Sequence, residues 1–90
     1  MPFYVYIIHS GTVNEYYKGV SDDPSRRLIE HNTNKSRHTA FKGPWVMVYL
    51  HHYETKREAL IEELRLKKLQ VRSIEKLILS EMNSINDILK

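Results

Sequence analysis

The sequence predicts an α+β domain: a three-stranded antiparallel sheet packed with helices in the order β-β-α-β-α-α. Three observations point there. Residues 3–8, 16–20 and 45–50 are runs of β-branched and aromatic side chains without a helical period. Helix-start signals stand just before residues 24 and 56. Three strands are too few to close a barrel, so the sheet has to bury its faces against helices.

Each element has its own justification. Residues 3–8 are apolar at successive positions, which suits a strand covered on both faces. Residues 10–15 are rich in turn formers, so residues 16–20 read as the returning strand of a hairpin. Asp23 is a good N-cap, and Pro24 suits the first helical position, where a missing N–H costs nothing. That helix is expected to reach about Asn32. Residues 33–44 are polar and basic and end in Gly43-Pro44, the composition of a loop. The third strand starts at Trp45 and continues through His51 and His52, which alternation sends to opposite faces. Thr55 and Glu58 have capping-box spacing, with the Glu58 carboxylate expected to bond back to the N-cap, ahead of a helix reaching about Leu69. A third helix, from Ser73 to about Met82, places Ile74, Leu77, Ile78 and Met82 on one stripe. Ile85, Ile88 and Leu89 suit a further turn or two. The expected organisation is one domain over residues 1–90, with its core at about 3–78 and a helical extension at 79–90.

Composition narrows the function. A chain of 90 residues has one core and needs most of its apolar side chains for it. The absence of cysteine excludes a disulfide framework and any thiolate zinc site. The apolar run at residues 4–8 is too short for a membrane span or a signal peptide, so a cytoplasmic protein without a membrane partner is expected. The net charge of +3 is small, but its placement is uneven: residues 1–32 sum to −1, residues 33–44 to +3 and residues 45–90 to +1. The excess therefore sits in one loop, where Lys35, Arg37 and Lys42 have no acid among them.

Tyr4-Val-Tyr6 in the first strand and Tyr17-Lys-Gly19 in the second resemble the two motifs of the GIY-YIG endonuclease family, in its small stand-alone bacterial type. Arg27-Leu28 falls ten residues after Tyr17, in a helix, where that family places its active-site arginine. His31-Asn32 follows, as in the small members. Residues 58–63 (EALIEE) and then Leu66-Lys67 resemble the family's second helix, whose final glutamate binds metal. The joint spacing, rather than any one motif, makes the match specific. Tyr4 and Lys18 stand where the motifs have glycine and isoleucine, and a late asparagine of some members has no matching position. The resemblance implies a divalent-metal-dependent endonuclease that hydrolyses DNA, with Tyr6, Tyr17, Arg27, His31 and Glu63 in the active site. It further implies Mg²⁺ or Mn²⁺ at Glu63 and Tyr17 as general base, assisted by Tyr6.

The residues themselves carry part of that chemistry. On a helical wheel Glu63 lies between Ala59 and Leu60, near Leu64, on a largely apolar stripe. A carboxylate there is either paired, with Lys67 at i+4, or functional. A guanidinium such as that of Arg27 matches two phosphate oxygens with its forked donors. His31 shares the Arg27 face, and its ordinary pKa near neutrality suits proton handling; Arg26 and Glu30 read as a solvated ion pair on the adjacent face. Strand alternation puts Tyr17 and Gly19 on one face and Lys18 on the other, and a side chain at Gly19 would crowd an approaching phosphate or the facing helix. Tyr4 reads as a core aromatic.

Lys35, Arg37 and Lys42, joined by Lys67, are the expected nucleic-acid contacts. With His38, Phe41 and Trp45 nearby, the loop suits a surface that tracks a phosphate backbone while an aromatic stacks on an unpaired base. No recognition helix stands out, so branched, flapped or single-stranded DNA is the expected substrate, in repair, recombination or processing. Two other readings compete: a non-catalytic nucleic-acid binding module that retains the fold, and an interaction domain. The interaction domain would engage a protein partner or a second copy through the apolar C-terminal stripe at residues 74–89.

Overall fold

The computed structural model describes residues 2–88. An antiparallel hairpin of β1 (Phe3–Ser10) and β2 (Glu15–Ser21) leads into α1 (Pro24–Asn32) and then β3 (Trp45–Tyr53). After it come α2 (Lys56–Lys67), α3 (Val71–Ile78) and a four-residue α4 (Ile85–Ile88). The expected order is present, with α4 appended. β3 returns to the far side of β1, so the antiparallel sheet runs β2-β1-β3 and β2 is an edge strand.

The unbroken apolar run of β1 follows from that central position. Val5 and Ile7 bury against Tyr49, Ala59, Leu66 and Ile74, on the face covered by α2 and α3. Tyr6 and Ile8 bury with Trp45, Met47 and Leu50 on the opposite face, where Leu28 of α1 and Ile85 and Ile88 of α4 close over them. Fully burying one such side chain contributes about 1.5–3 kcal/mol.

Local chemistry sets the helix ends. Asp23 Oδ1 accepts from the Arg26 N–H at 3.1 Å, as an N-cap should. At α2, Thr55 Oγ1 accepts from the Glu58 N–H at 3.2 Å, but the reciprocal half of the capping box differs: the Glu58 carboxylate accepts from the Thr55 hydroxyl at 2.9 Å. α2 ends at Lys67 rather than about Leu69, because the Lys68 and Leu69 N–H groups turn into tighter i→i−3 bonds to Arg65 and Leu66. α3 begins and ends earlier than its stripe suggested. The Ser80 hydroxyl caps the Leu77 carbonyl at 2.7 Å, which leaves Met82 beyond the helix. Leu89, the end of the expected C-terminal stripe, lies outside the described residues.

The outer edge of β3 is closed by an asparagine. Asn83 Oδ1 accepts from the Leu50 and Ile85 N–H groups at 3.2 Å each, and Nδ2 donates to the Ile78 and Val48 carbonyls at 2.8 and 2.9 Å. Val48 is the extra residue of a bulge, since Ile7 pairs with Tyr49 and Ile8 with Met47. Covering an edge in this way satisfies strand groups that would otherwise recruit another chain. Among the described residues no helix is long and apolar enough to cross a membrane.

Candidate active site

Because β2 is an edge strand, helices on the two faces of the sheet can approach each other past it. α1 on one side and α2 on the other leave a cleft of about 500 Å³ there, lined by Tyr6, Tyr17, Gly19, Arg27, Lys56 and Glu63 among others. Tyr6, Tyr17, Arg27 and Glu63 are thus brought together from four elements. His31 is fully buried behind them.

Tyr6 and Gly19 are direct partners in the β1–β2 register. A Cβ on Gly19 would overlap the Tyr6 Cζ and hydroxyl and lie 2.7 Å from Cε2. The glycine therefore makes room for a ring on the neighbouring strand. The expectation that it clears a phosphate or a facing helix is corrected accordingly.

Behind Tyr6 runs a buried chain of hydrogen bonds. The Tyr6 hydroxyl lies 2.8 Å from His31 Nε2, and His31 Nδ1 lies 2.6 Å from Thr39 Oγ1. Burial, reinforced by the Arg27 charge, lowers the His31 pKa from 6.5 to about 4, so the ring is neutral at pH 7. Burial likewise raises the Tyr6 pKa to about 12, against the opposing pull of Arg27. With both groups neutral, one ring nitrogen of His31 donates and the other accepts, so the Tyr6–His31–Thr39 chain runs in a single direction. Tyr6 stays protonated, and His31 does not itself line the cleft but touches two side chains that do, Tyr6 and Tyr17.

Arg27 is engaged in the free protein. Its Nη1 donates to Glu30 Oε1, the shortest ion pair on α1, and this bond holds the Glu30 carboxyl below the usual range. The expected Arg26–Glu30 pair is also present at 3.6 Å, but Arg26 divides itself among Asp22, Asp23 and Glu30. Glu30 thus serves Arg27 more closely than Arg26.

The two glutamates of α2 have different fates. Ala59 and Leu66 form its buried stripe, and Glu62 and Glu63 flank it, each side chain 14% exposed. Leu60 and Leu64 turn outward, which corrects the reading of an apolar stripe around Glu63. Glu62 is consumed by Arg65 through two bonds of 2.6 and 2.7 Å. Glu63 faces the cleft, with Lys67 Nζ 3.4 Å away. A single carboxylate opening on such a cleft suits a magnesium ion that keeps most of its waters. Among the described residues no three His, Asp or Glu side chains gather into an all-protein cage.

The basic loop reaches the site through His38, whose ring stacks on Tyr17 with centroids 6.5 Å apart, while His31 meets the same ring edge-on at 5.0 Å. Lys35 and Arg37 are exposed on this loop. Lys42 is tied to Glu15 at 3.3 Å, and Lys67 to Glu63, so these two expected phosphate contacts already have acid partners. Trp45 cannot stack on a base: it is buried, and its Nε1 donates to the Thr39 carbonyl at 3.1 Å. Thr39 and Lys56 escaped the sequence reading. Thr39 belongs to no motif, and its role follows only from where the loop folds. Lys56 had a usable signal, its place at the start of α2 one turn before residue 60.

Comparison with known proteins gives the family. The GIY-YIG catalytic domain model matches residues 2–78. The chain is 36% identical over 70 residues to a UPF0213 protein of Enterococcus faecalis, covering 74% of this chain and 76% of that one. It is 32% identical over 72 residues to the UPF0213 protein YazA of Bacillus subtilis, covering 79% and 73%. The solution NMR structure of the UPF0213 protein BH0048 from Bacillus halodurans superposes with a TM-score of 0.58 at 30% identity, covering 91% of this chain and 87% of that one. The chain belongs to the GIY-YIG family. Membership implies a nuclease domain acting on DNA in general terms; the names of the relatives state no substrate or pathway.

Proposed function

We propose that the protein is a divalent-metal-dependent endonuclease that hydrolyses DNA phosphodiester bonds with structural rather than sequence preference. The observation that carries this reading is the convergence of Tyr6, Tyr17, Arg27 and Glu63 on one cleft at the sheet edge. Magnesium or manganese held at Glu63 would supply charge neutralisation at the phosphoryl group and at the leaving oxygen. Glu63 would exchange Lys67 for that ion.

The other roles follow from the chain. Arg27, turning from Glu30, offers two parallel donors to the non-bridging oxygens of the scissile phosphate. Tyr17 presents its hydroxyl at the cleft, and among the described residues nothing hydrogen-bonds it, so after giving its own proton to solvent it is the group free, as phenolate, to accept a proton from the attacking water. Tyr6, kept protonated by burial and seated on His31, holds the geometry around it. Among the described residues no helix carries a set of base-reading side chains, and a domain of this size offers a small interface, so substrate choice rests on DNA shape. Roles in repair, recombination or processing are consistent with such a preference.

The test is paired substitution. Arg27→Ala and Glu63→Ala should each reduce nicking by roughly 100-fold or more, with thermal melts close to wild type because each loses a single partly exposed ion pair, to Glu30 or to Lys67. Retained cleavage in either variant would refute the assignment.

A further inference from the structure

The loop between α1 and β3 ends in a feature that the cleft chemistry does not use. Phe41 is 86% exposed and holds φ at 63°. Asn14 and Asn34 are the other non-glycine residues with positive φ among those described, and asparagine tolerates that conformation while a bulky side chain does not. An isolated exposed apolar side chain is ordinary. An aromatic one held in a disfavoured backbone conformation persists only where its surroundings impose it, and such positions concentrate at ligand clamps.

Here the surroundings do impose it. The Phe41 N–H donates to Asn34 Oδ1 at 2.8 Å. The Lys42 N–H and the Trp45 Nε1–H both return to the Thr39 carbonyl, at 3.3 and 3.1 Å, and Ser10 Oγ donates to the Lys42 carbonyl at 2.5 Å. The ring is thus presented to solvent by a braced loop. Three residues before it, His38 stacks on Tyr17 at the cleft. Residues 33–44 carry three basic and no acidic side chains, so the charge around the ring favours a polyanion over an acid-poor protein surface.

We infer that Phe41 is a stacking post for an unpaired nucleobase of the bound strand, with Lys35 and Arg37 on its flanking phosphates. This rests on the proposed DNA-cleaving role and names the feature of the substrate that the loop selects. An aromatic face stacks on any base, so the contact discriminates unpaired from paired DNA and not one sequence from another.

The experiment uses the full chain in metal-free buffer. The probes are single-stranded and flapped oligonucleotides carrying a fluorescent aminopurine at successive positions, and a fully paired duplex of equal length. Wild type should quench the fluorophore at one unpaired position. Phe41→Ala and Phe41→Gly should lose that quenching and bind the unpaired probes roughly 5- to 150-fold more weakly, with duplex affinity unchanged, and Phe41→Trp should restore both. The Phe41→Gly melt should be at or above wild type, because glycine adopts this backbone freely. Equal affinity of Phe41→Ala and wild type for the unpaired probes would overturn the inference, as would an equal loss on the duplex. A dimer that dissociates on Phe41→Ala substitution would assign the ring to self-association and overturn it too. Wild type that binds no DNA at all would instead overturn the proposed function on which it stands.

Discussion

Tyr6 lies across Gly19, its partner on the neighbouring strand, so closely that a single added carbon on the glycine would occupy the space of the phenol. The motif glycine and the motif tyrosine are therefore one packing unit. Gly19→Ala has to displace the Tyr6 ring and break its bond to His31, costing about 1–3 kcal/mol by overpacking. Nicking should fall further than the fraction unfolded at assay temperature accounts for. A Gly19→Ala protein with wild-type melt and rate would show that the ring tolerates displacement.

The buried His31 makes stability depend on pH over a defined window. The unfolded chain binds that proton below pH 6.5, the folded chain only below about 4. As pH falls through that interval the unfolded state takes up the proton and stability drains; the contribution is complete above 6.5 and gone below 4. Between pH 7 and 5 the loss is about 2 kcal/mol. Glu30 and Glu62, whose carboxyls sit below their ordinary 4.5, begin to act only at lower pH. Urea melts at pH 7, 6 and 5 should show this slope in wild type and a flatter one in His31→Gln. Thr39→Val should leave His31 Nδ1 without its partner at about 1–3 kcal/mol and slow nicking, and Thr39→Ser should recover both.

In the proposed mechanism Glu30 competes with phosphate for Arg27. Glu30→Gln removes a negative charge beside the scissile phosphate, so DNA affinity at low salt should tighten by roughly 2- to 5-fold, the range of a modest ion pair. Cleavage at saturation should persist. A fall in saturated rate matching that of Arg27→Ala would make Glu30 part of the catalytic arrangement instead.

The loop cations should differ in their contribution. Lys35 and Arg37 are exposed, whereas Lys42 is tied to Glu15. Replacing both Lys35 and Arg37 by alanine should flatten the dependence of log K on log salt by about two contacts' worth, while Lys42→Ala should change it by less than one. Equal effects would show that the Lys42–Glu15 pair opens on binding.

Much of the fold could be read from local signals that tertiary structure did not override. Asp23-Pro24 starts α1 where expected, and the double-sided apolar run marks β1 as the central strand. The cleft residues were legible because their spacing in the chain survives as a pattern. What escaped depends on long-range closure. Thr39 gains its role only when the loop folds under His31. Asn83 gains its role from the Val48 carbonyl and the Leu50 N–H of β3, more than thirty residues away. Helix α2 misled for a different reason: its two leucines beside Glu63 face solvent, so the apolar period did not mark the buried side.

The central claim is cleavage that depends on a divalent ion and on the shape of the DNA. It is tested most directly by incubating the purified chain with duplex, single-stranded, flapped and branched DNA, with and without Mg²⁺ or Mn²⁺. Nicks are expected in one or more of the non-duplex substrates only when the ion is present, and none with Glu63→Ala. Binding to those substrates without a cut under any ionic condition would contradict it, and would leave a nucleic-acid binding module that keeps the fold.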